Sequence, residues 1–428
     1  MPVKRLRETE QGDSPVGRSG FIADRWKVTL AALGINLLLG MLYSWSLIQR
    51  ALVSDLGWTN TGASLPYIIC IAVFSLVMII AGKAQDIYGP RPVSLFGGIL
   101  LGIGLIASSA ARNPAMMMVT FGVIGGAGIG FGFAAGTPCA MKWFGPERKG
   151  IIAGVVVSGV GLSPVFIAPL TAALLNAYGI QNTFLYLGLL ALSGIVLLSL
   201  VLRNPPDHHS SASRETLPGS AITDYTWREM TRSGTFFLLW TSFLLSASAG
   251  LMLIGHLASI AAIQANWQAG FILVVILSMF NAVGRIAGGY LSDLLGRTNA
   301  LFIVFIIQAV NMFMFVWYQG IPSLMAGSAL AGLAYGAIFA LFPAATADYF
   351  GLRNLGVNYG IVFTGFGVAG IAGPLIGGLV VDFTGSYTIS YIISSVMLIA
   401  AAILARIIHM RSHTRPPQHS RRPPFGIL

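Results

Sequence analysis

The sequence predicts an all-α membrane protein with twelve transmembrane helices in two six-helix halves, and three observations predict it. The 428 residues are 55% apolar and only 9% charged, with 52 glycines, whereas a soluble domain is roughly 25% charged. Uncharged windows follow one another along nearly the whole chain, and about 20 such residues suffice for one helix to cross a bilayer. A turn motif also recurs at a separation of 207 residues, Gly82, Asp86 and Gly89 against Gly289, Asp293 and Gly296, as a duplicated half would give.

The windows Val28–Gln49, Leu56–Gly82, Pro92–Ala111 and Asn113–Met141 hold one helix each. Gly150–Leu202, Ser233–Gly284 and Thr298–Ala347 are too long for one, and the polar or helix-breaking clusters Tyr178–Asn182, Gln264–Gln268 and Tyr318–Pro322 divide them. Asn354–Val381 and Phe383–Ala405 complete the set. Spans 1 to 12 are thus placed at 27–48, 63–83, 91–111, 115–141, 150–178, 182–203, 234–263, 269–293, 298–319, 322–348, 355–383 and 387–408. The halves become 27–203 and 234–408, with an amino-terminal tail (1–26), a linker (204–233) and a carboxy-terminal tail (409–428). Within the linker, Asp224 to Arg232 reads as a short interfacial helix carrying Tyr225 and Trp227.

A formal charge of +11 raises nucleic acid as a partner, but the distribution follows the positive-inside rule instead. With both termini in the cytoplasm, every Lys and Arg falls in a cytoplasmic segment or helix end except Arg50, Arg112 and Arg285. The first 26 residues lack an apolar signal core, so the first span is expected to direct insertion. Cys70 and Cys139 lie in apolar spans without metal-ligand spacing, which argues against a disulfide framework or a zinc site. No cofactor is expected. The spans hold no nucleophile with a base, no paired acids and no metal cluster, which argues against an enzyme.

The turn Gly82-Lys-Ala-Gln-Asp86-Ile-Tyr-Gly89-Pro-Arg91, weakened as Gly289 to Arg297 after span 8, resembles the signature loop of the major facilitator superfamily. The resemblance implies that fold and a cytoplasmic gate, assigned here to Asp86, Arg91, Arg148, Asp293 and Arg297. Physically, an aspartate there can meet the positive end of a neighbouring helix or an arginine. Phe144-Gly145 and Gly150 also match Phe350-Gly351 and Gly356 at an offset of 206.

Arg285 lies eight residues before Asp293, about 12 Å into span 8 at 1.5 Å per residue, near the bilayer midplane. A charge there costs roughly 2.5–3.5 kcal/mol or more, so such residues face a cavity or a partner. Every Asp and Glu lies in a tail, loop or helix end. The carboxylate for this guanidinium is therefore expected from the ligand, whose planar group suits the arginine fork. Ser278, Asn281, Arg285, Gly288 and Ser292 recur at three- or four-residue spacing, a small polar stripe able to face a central pathway.

Tyr43-Ser44-Trp45, Trp143-Phe144-Gly-Pro-Glu-Arg148-Lys149-Gly150, and Leu341-Phe342-Pro343 before Asp348-Tyr-Phe350-Gly351 resemble the oxalate/formate antiporter group and the related monocarboxylate transporters. In the antiporter an arginine in helix 8 and a lysine in helix 11 face the two carboxylates of oxalate. Arg285 matches the arginine, whereas aligning Asn358-Tyr359-Gly360 puts Phe366 where the lysine would be. One cation balances one carboxylate, and an unpaired second charge is costly in a poorly solvated cavity, so a monocarboxylate is the expected substrate. The same resemblance assigns Tyr43, Phe133, Tyr335, Phe339 and Phe363 to the pocket, around a short body such as that of lactate or pyruvate, with Asn281 beside the arginine.

The animal relatives carry an aspartate one turn before this arginine; Asn281 stands there and cannot titrate. His256 in span 7, or the bound substrate itself, is the candidate proton carrier. The expectation is proton symport of a small monocarboxylate by a monomer in the inner membrane. Anion exchange, and a non-transporting sensor, are the alternatives.

Overall fold

The computed structural model describes residues 15–58, 60–206, 224–267 and 270–413. Most of the two tails and residues 207–223 of the linker lie outside these. Among the described residues every regular element is a helix, and eleven helices are long and apolar enough to cross a membrane. One of these, Lys149–Ser199, runs 51 residues and turns at Gly179, whose φ of 72° and ψ of 176° are non-helical. It is spans 5 and 6, parted where the polar cluster at 178–182 demanded, and the total is twelve.

Span 1 starts earlier than the composition indicated. A helix Pro15–Leu39 passes through a tight 3-10 turn, Gly40–Ser44, into a second helix, Trp45–Leu56. Span 2 is Asn60–Tyr88 and span 3 is Pro90–Ser108. Span 4 joins Pro114–Met117 and Gly126–Met141 through a π-helical stretch, Met118–Gly125. Spans 7 to 12 are Gly234–Ala265, Phe271–Leu295, Arg297–Met314, Ile321–Phe350, Leu355–Thr384 and Thr388–His413. Asn266, in the left-handed region at φ 48°, ends span 7 inside the predicted breaker cluster.

Exposed faces are apolar: Val275, Met279, Val283 and Tyr290 of span 8 are all more than half exposed. Such a continuous apolar exterior is what a multi-pass protein presents to lipid. A short helix forms in the linker over Trp227–Arg232, closed by a capping box between Thr226 and Glu229, so Tyr225, expected on that helix, precedes it. Tyr225 is pinned rather than free: its ring meets Phe350 edge-on at 5.7 Å, and its carbonyl accepts from Asn354 and Asn358.

The halves meet chiefly where span 5 packs on span 8 and span 2 on span 11. Both contacts are backbone against backbone. A Cβ on Gly82 would lie 2.0 Å from the Gly356 oxygen, and one on Gly289 would lie 2.2 Å from the Gly150 oxygen. Only glycine permits that approach, and it brings the two turns of the repeat onto helix ends of the opposite half.

Candidate functional site

Between the halves lies a cavity of ≈ 30 Å³, contracted on a scale where one water needs about 10–15 Å³. Its wall is almost wholly apolar. Spans 1, 4 and 10 contribute Tyr43, Phe133 and Phe339, span 11 contributes Phe363 and Phe366, and Arg285 is the single charged residue of the wall among the described residues. The 3-10 turn of span 1 carries Tyr43, a local tightening of the kind that often marks functional positions.

Arg285 is 1% exposed. Its Nε donates to Asn281 Oδ1 at 2.9 Å, one helical turn earlier, and Nη1 donates to the Val157 carbonyl of span 5 at 2.6 Å. The guanidinium lies over the Phe339 ring, 4.6 Å from its centroid, and interacts with the Tyr43 hydroxyl. Among the described residues no carboxylate pairs with it. A neutral carbonyl, an amide, a phenol and an aromatic face therefore hold a fully buried cation, and the Val157 bond ties one half to the other. Such a set leaves part of the five-donor fork available to an anion.

Of the residues singled out from the sequence, Arg285, Asn281, Tyr43, Phe133, Phe339 and Phe363 come together here. Tyr335 stands behind Phe339, ring to ring at 5.2 Å and 80°, outside the cavity wall. Gly288 packs on Ala337 of span 10 and Ser292 accepts from Arg297, so the lower part of the polar stripe serves packing and the turn below. His256 lies apart from the cavity: its Nε2 bonds the Pro374 carbonyl at 2.9 Å and its Nδ1 the Tyr387 hydroxyl at 3.1 Å. Sequence reasoning missed Phe74, one phenylalanine among many in apolar spans, and Val157, whose contribution is a backbone oxygen that no residue type signals.

The two turns of the repeat form two clasps. Asp86 accepts from the backbone N–H groups of Gly356 and Val357 at 3.0 and 2.9 Å, at the start of span 11. Asp293 accepts from those of Gly150 and Ile151 at 2.9 and 2.7 Å, at the start of span 5. Each carboxylate thus sits on the positive end of a helix in the other half. Arg297 pairs with Asp293 and, at 2.6 Å, with Asp348, which Lys149 also approaches at 3.2 Å. Arg91 and Arg148 are exposed and lie outside both clasps. Lys149, 2% exposed, fills the place the basic loop offered, and Asp348 joins it.

Among the described residues no group of His, Cys, Asp or Glu could hold a metal, and Cys70 and Cys139 are buried free thiols. A closed cavity between two repeated halves, joined across their interface by carboxylate helix caps, is consistent with a carrier fold, and the comparisons agree. An uncharacterized MFS-type transporter of Escherichia coli, YhjX, is 28% identical over 82% of this chain and 87% of its own. The oxalate:formate antiporter of Oxalobacter formigenes is 27% identical over 85% and 86%. Monocarboxylate transporter 13 of Rattus norvegicus is 26% identical over 90% of each chain. Among solved structures, the human organic anion transporter MFSD10 superposes with a TM-score of 0.69 at 15% identity, over 89% of this chain and 99% of that one, a likeness of fold. These relatives are transporters and not enzymes. The family model of the Major Facilitator Superfamily matches residues 29–326 and 269–427, and the chain belongs to that superfamily.

Proposed function

We propose that this protein is a secondary transporter of small monocarboxylates, lactate- or pyruvate-like, working by alternating access in the inner membrane with both termini in the cytoplasm. The observation that carries the reading is Arg285: a buried cation without a carboxylate partner among the described residues, facing an aromatic cavity. Its free donors would take a carboxylate in charge-assisted bonds, roughly twice as strong as the neutral ones that hold it now. Phe366 supports one negative charge rather than two, because it places a ring in the wall where a dianion would need a second cation.

Proton symport is the preferred coupling. The guanidinium already has neutral partners, so the unloaded carrier keeps its cation satisfied while the halves reorient, which supports net transport over obligatory exchange. Anion exchange is favoured by a different observation: among the described residues no Asp, Glu or His stands in the cavity wall. Uptake of labelled lactate, pyruvate, formate and oxalate into proteoliposomes, at two pH gradients, separates the readings. Symport predicts uptake that follows the imposed gradient, whereas exchange ignores it and responds to internal carboxylate. Arg285→Ala is expected to lower uptake about a hundredfold, as when one partner of a buried charge pair is removed. Oxalate transported above every monocarboxylate would overturn the substrate assignment.

A further inference from the structure

Behind the cavity wall, inside the carboxy-terminal half, a second chamber of ≈ 10 Å³ opens between spans 7, 9, 10 and 12. Ser246, Gln308 and Tyr335 give it polar groups at mid-span depth, among apolar side chains such as Phe305 and Leu398. Gln308 and Tyr335 are each 4% exposed. The Gln308 Nε2 and the Tyr335 hydroxyl have no hydrogen-bond partner among the described residues. Buried polar groups of this kind are nearly always satisfied, by ordered water where protein does not serve. The chamber is at the size of one water molecule, and a water needs two to four polar partners.

We propose that this chamber holds one structural water, bound by Gln308, Tyr335 and Ser246, and that the water positions the aromatic support of Arg285. The donors and acceptors balance. Gln308 Oε1 already accepts from Asn311, leaving its N–H group to donate to the water. Ser246 Oγ already donates to the Phe243 carbonyl, leaving its lone pairs to accept. The water accepts from Gln308 and from the Tyr335 hydroxyl and donates to Ser246. The Tyr335 ring also packs against the bare backbone of Gly250, where an added Cβ would lie 2.2 Å from the ring. That ring meets Phe339 edge-on, and Phe339 carries the guanidinium on its face. The water thus sets the tyrosine, the tyrosine sets the phenylalanine, and the phenylalanine sets the cation. Gln308 is a positioning residue.

The test is a structure of the full chain in lipid nanodiscs at a resolution that shows water, joined to uptake kinetics. The expected result is a density peak within hydrogen-bonding distance of Gln308 Nε2 and Tyr335 Oη, lost in Gln308→Met, which keeps the side-chain volume. The same variant is expected to raise the KM for a transported monocarboxylate about three- to tenfold, the worth of one hydrogen bond, with maximal rate retained. A merely structural defect would lower the rate and the folded yield together. Should Gln308→Met fail to fold, Ser246→Ala removes one acceptor and is expected to weaken the peak and raise KM less. An empty chamber, a protein side chain filling it, or a peak that persists in Gln308→Met overturns the proposal. The density needs no substrate, so its absence leaves the carboxylate reading standing. Failure of every carboxylate to be transported sinks that reading and leaves the water in place.

Discussion

Asp86 and Asp293 occupy equivalent turns 207 residues apart, and each grips the first N–H groups of a helix in the opposite half. Beyond that shared backbone geometry the two clasps part company. The second is wired with ions: Arg297 and Lys149 are both buried, and Asp348 bridges them. In the first, the corresponding positions by the repeat are Pro90, Leu355 and Lys142. Leu355 is fully buried and makes an apolar contact where Lys149 makes an ionic one. The caps require only a carboxylate, a helix start and a pair of glycines. The buried ion pairs are found at the second clasp, so that side is expected to be the stiffer of the two.

Asp293→Asn is the sharpest way to break this comparison. It leaves Arg297 and Lys149 sharing one half-exposed-at-most carboxylate, and loss of a partner in a buried ionic group costs about 3–5 kcal/mol. Labelling of cysteines placed in the cavity wall, from the side of the clasps, should accelerate strongly, with a fall in Tm. Asp86→Asn removes charge-assisted caps but strands no buried cation, so a loss of about 1–3 kcal/mol is expected, with slower labelling than in Asp293→Asn. If Asp86→Asn proved the more damaging, the ionic network would not be the stiffening element. Gly150→Ala and Gly356→Ala sharpen the shared part: each Cβ would fall within 2.5 Å of a facing backbone oxygen, so both should open their clasp to a similar extent. Arg91→Ala and Arg148→Ala, at exposed positions, should change stability by less than about 0.5 kcal/mol. A large effect from either would place it in the gate after all.

The span count was legible because each long window carried its own breaker, and Gly179 and Asn266 turn the chain where those clusters stand. Arg285 was legible because a lone charge at mid-depth has few bland explanations. The 3-10 turn under Tyr43 and the π-helical stretch of span 4 were not, since both are set by packing against neighbouring spans rather than by periodicity. Ser163 and Val160, for example, crowd Gly40 to 2.4 and 2.8 Å of an added Cβ. The Lys149 position was ambiguous for a plain reason: adjacent to Arg148 in a basic loop, it reads as solvated, and only the tertiary approach of Asp348 buries it. Tyr335 illustrates the opposite failure, a residue of pocket-forming type that stands one layer too far back.

If Arg285 binds the solute as proposed, the Val157 carbonyl, bonded to the guanidinium across the two halves, would act as a resident competitor for it. An uncharged amide or ester offers nothing that the peptide oxygen does not already supply, so it would gain little by displacing it. An anion offers a charge, and breaking the Val157 bond to receive it would also cut a strut between the halves. Discrimination against neutral look-alikes and loosening of the closed state would then be one event, prepared by a main-chain atom.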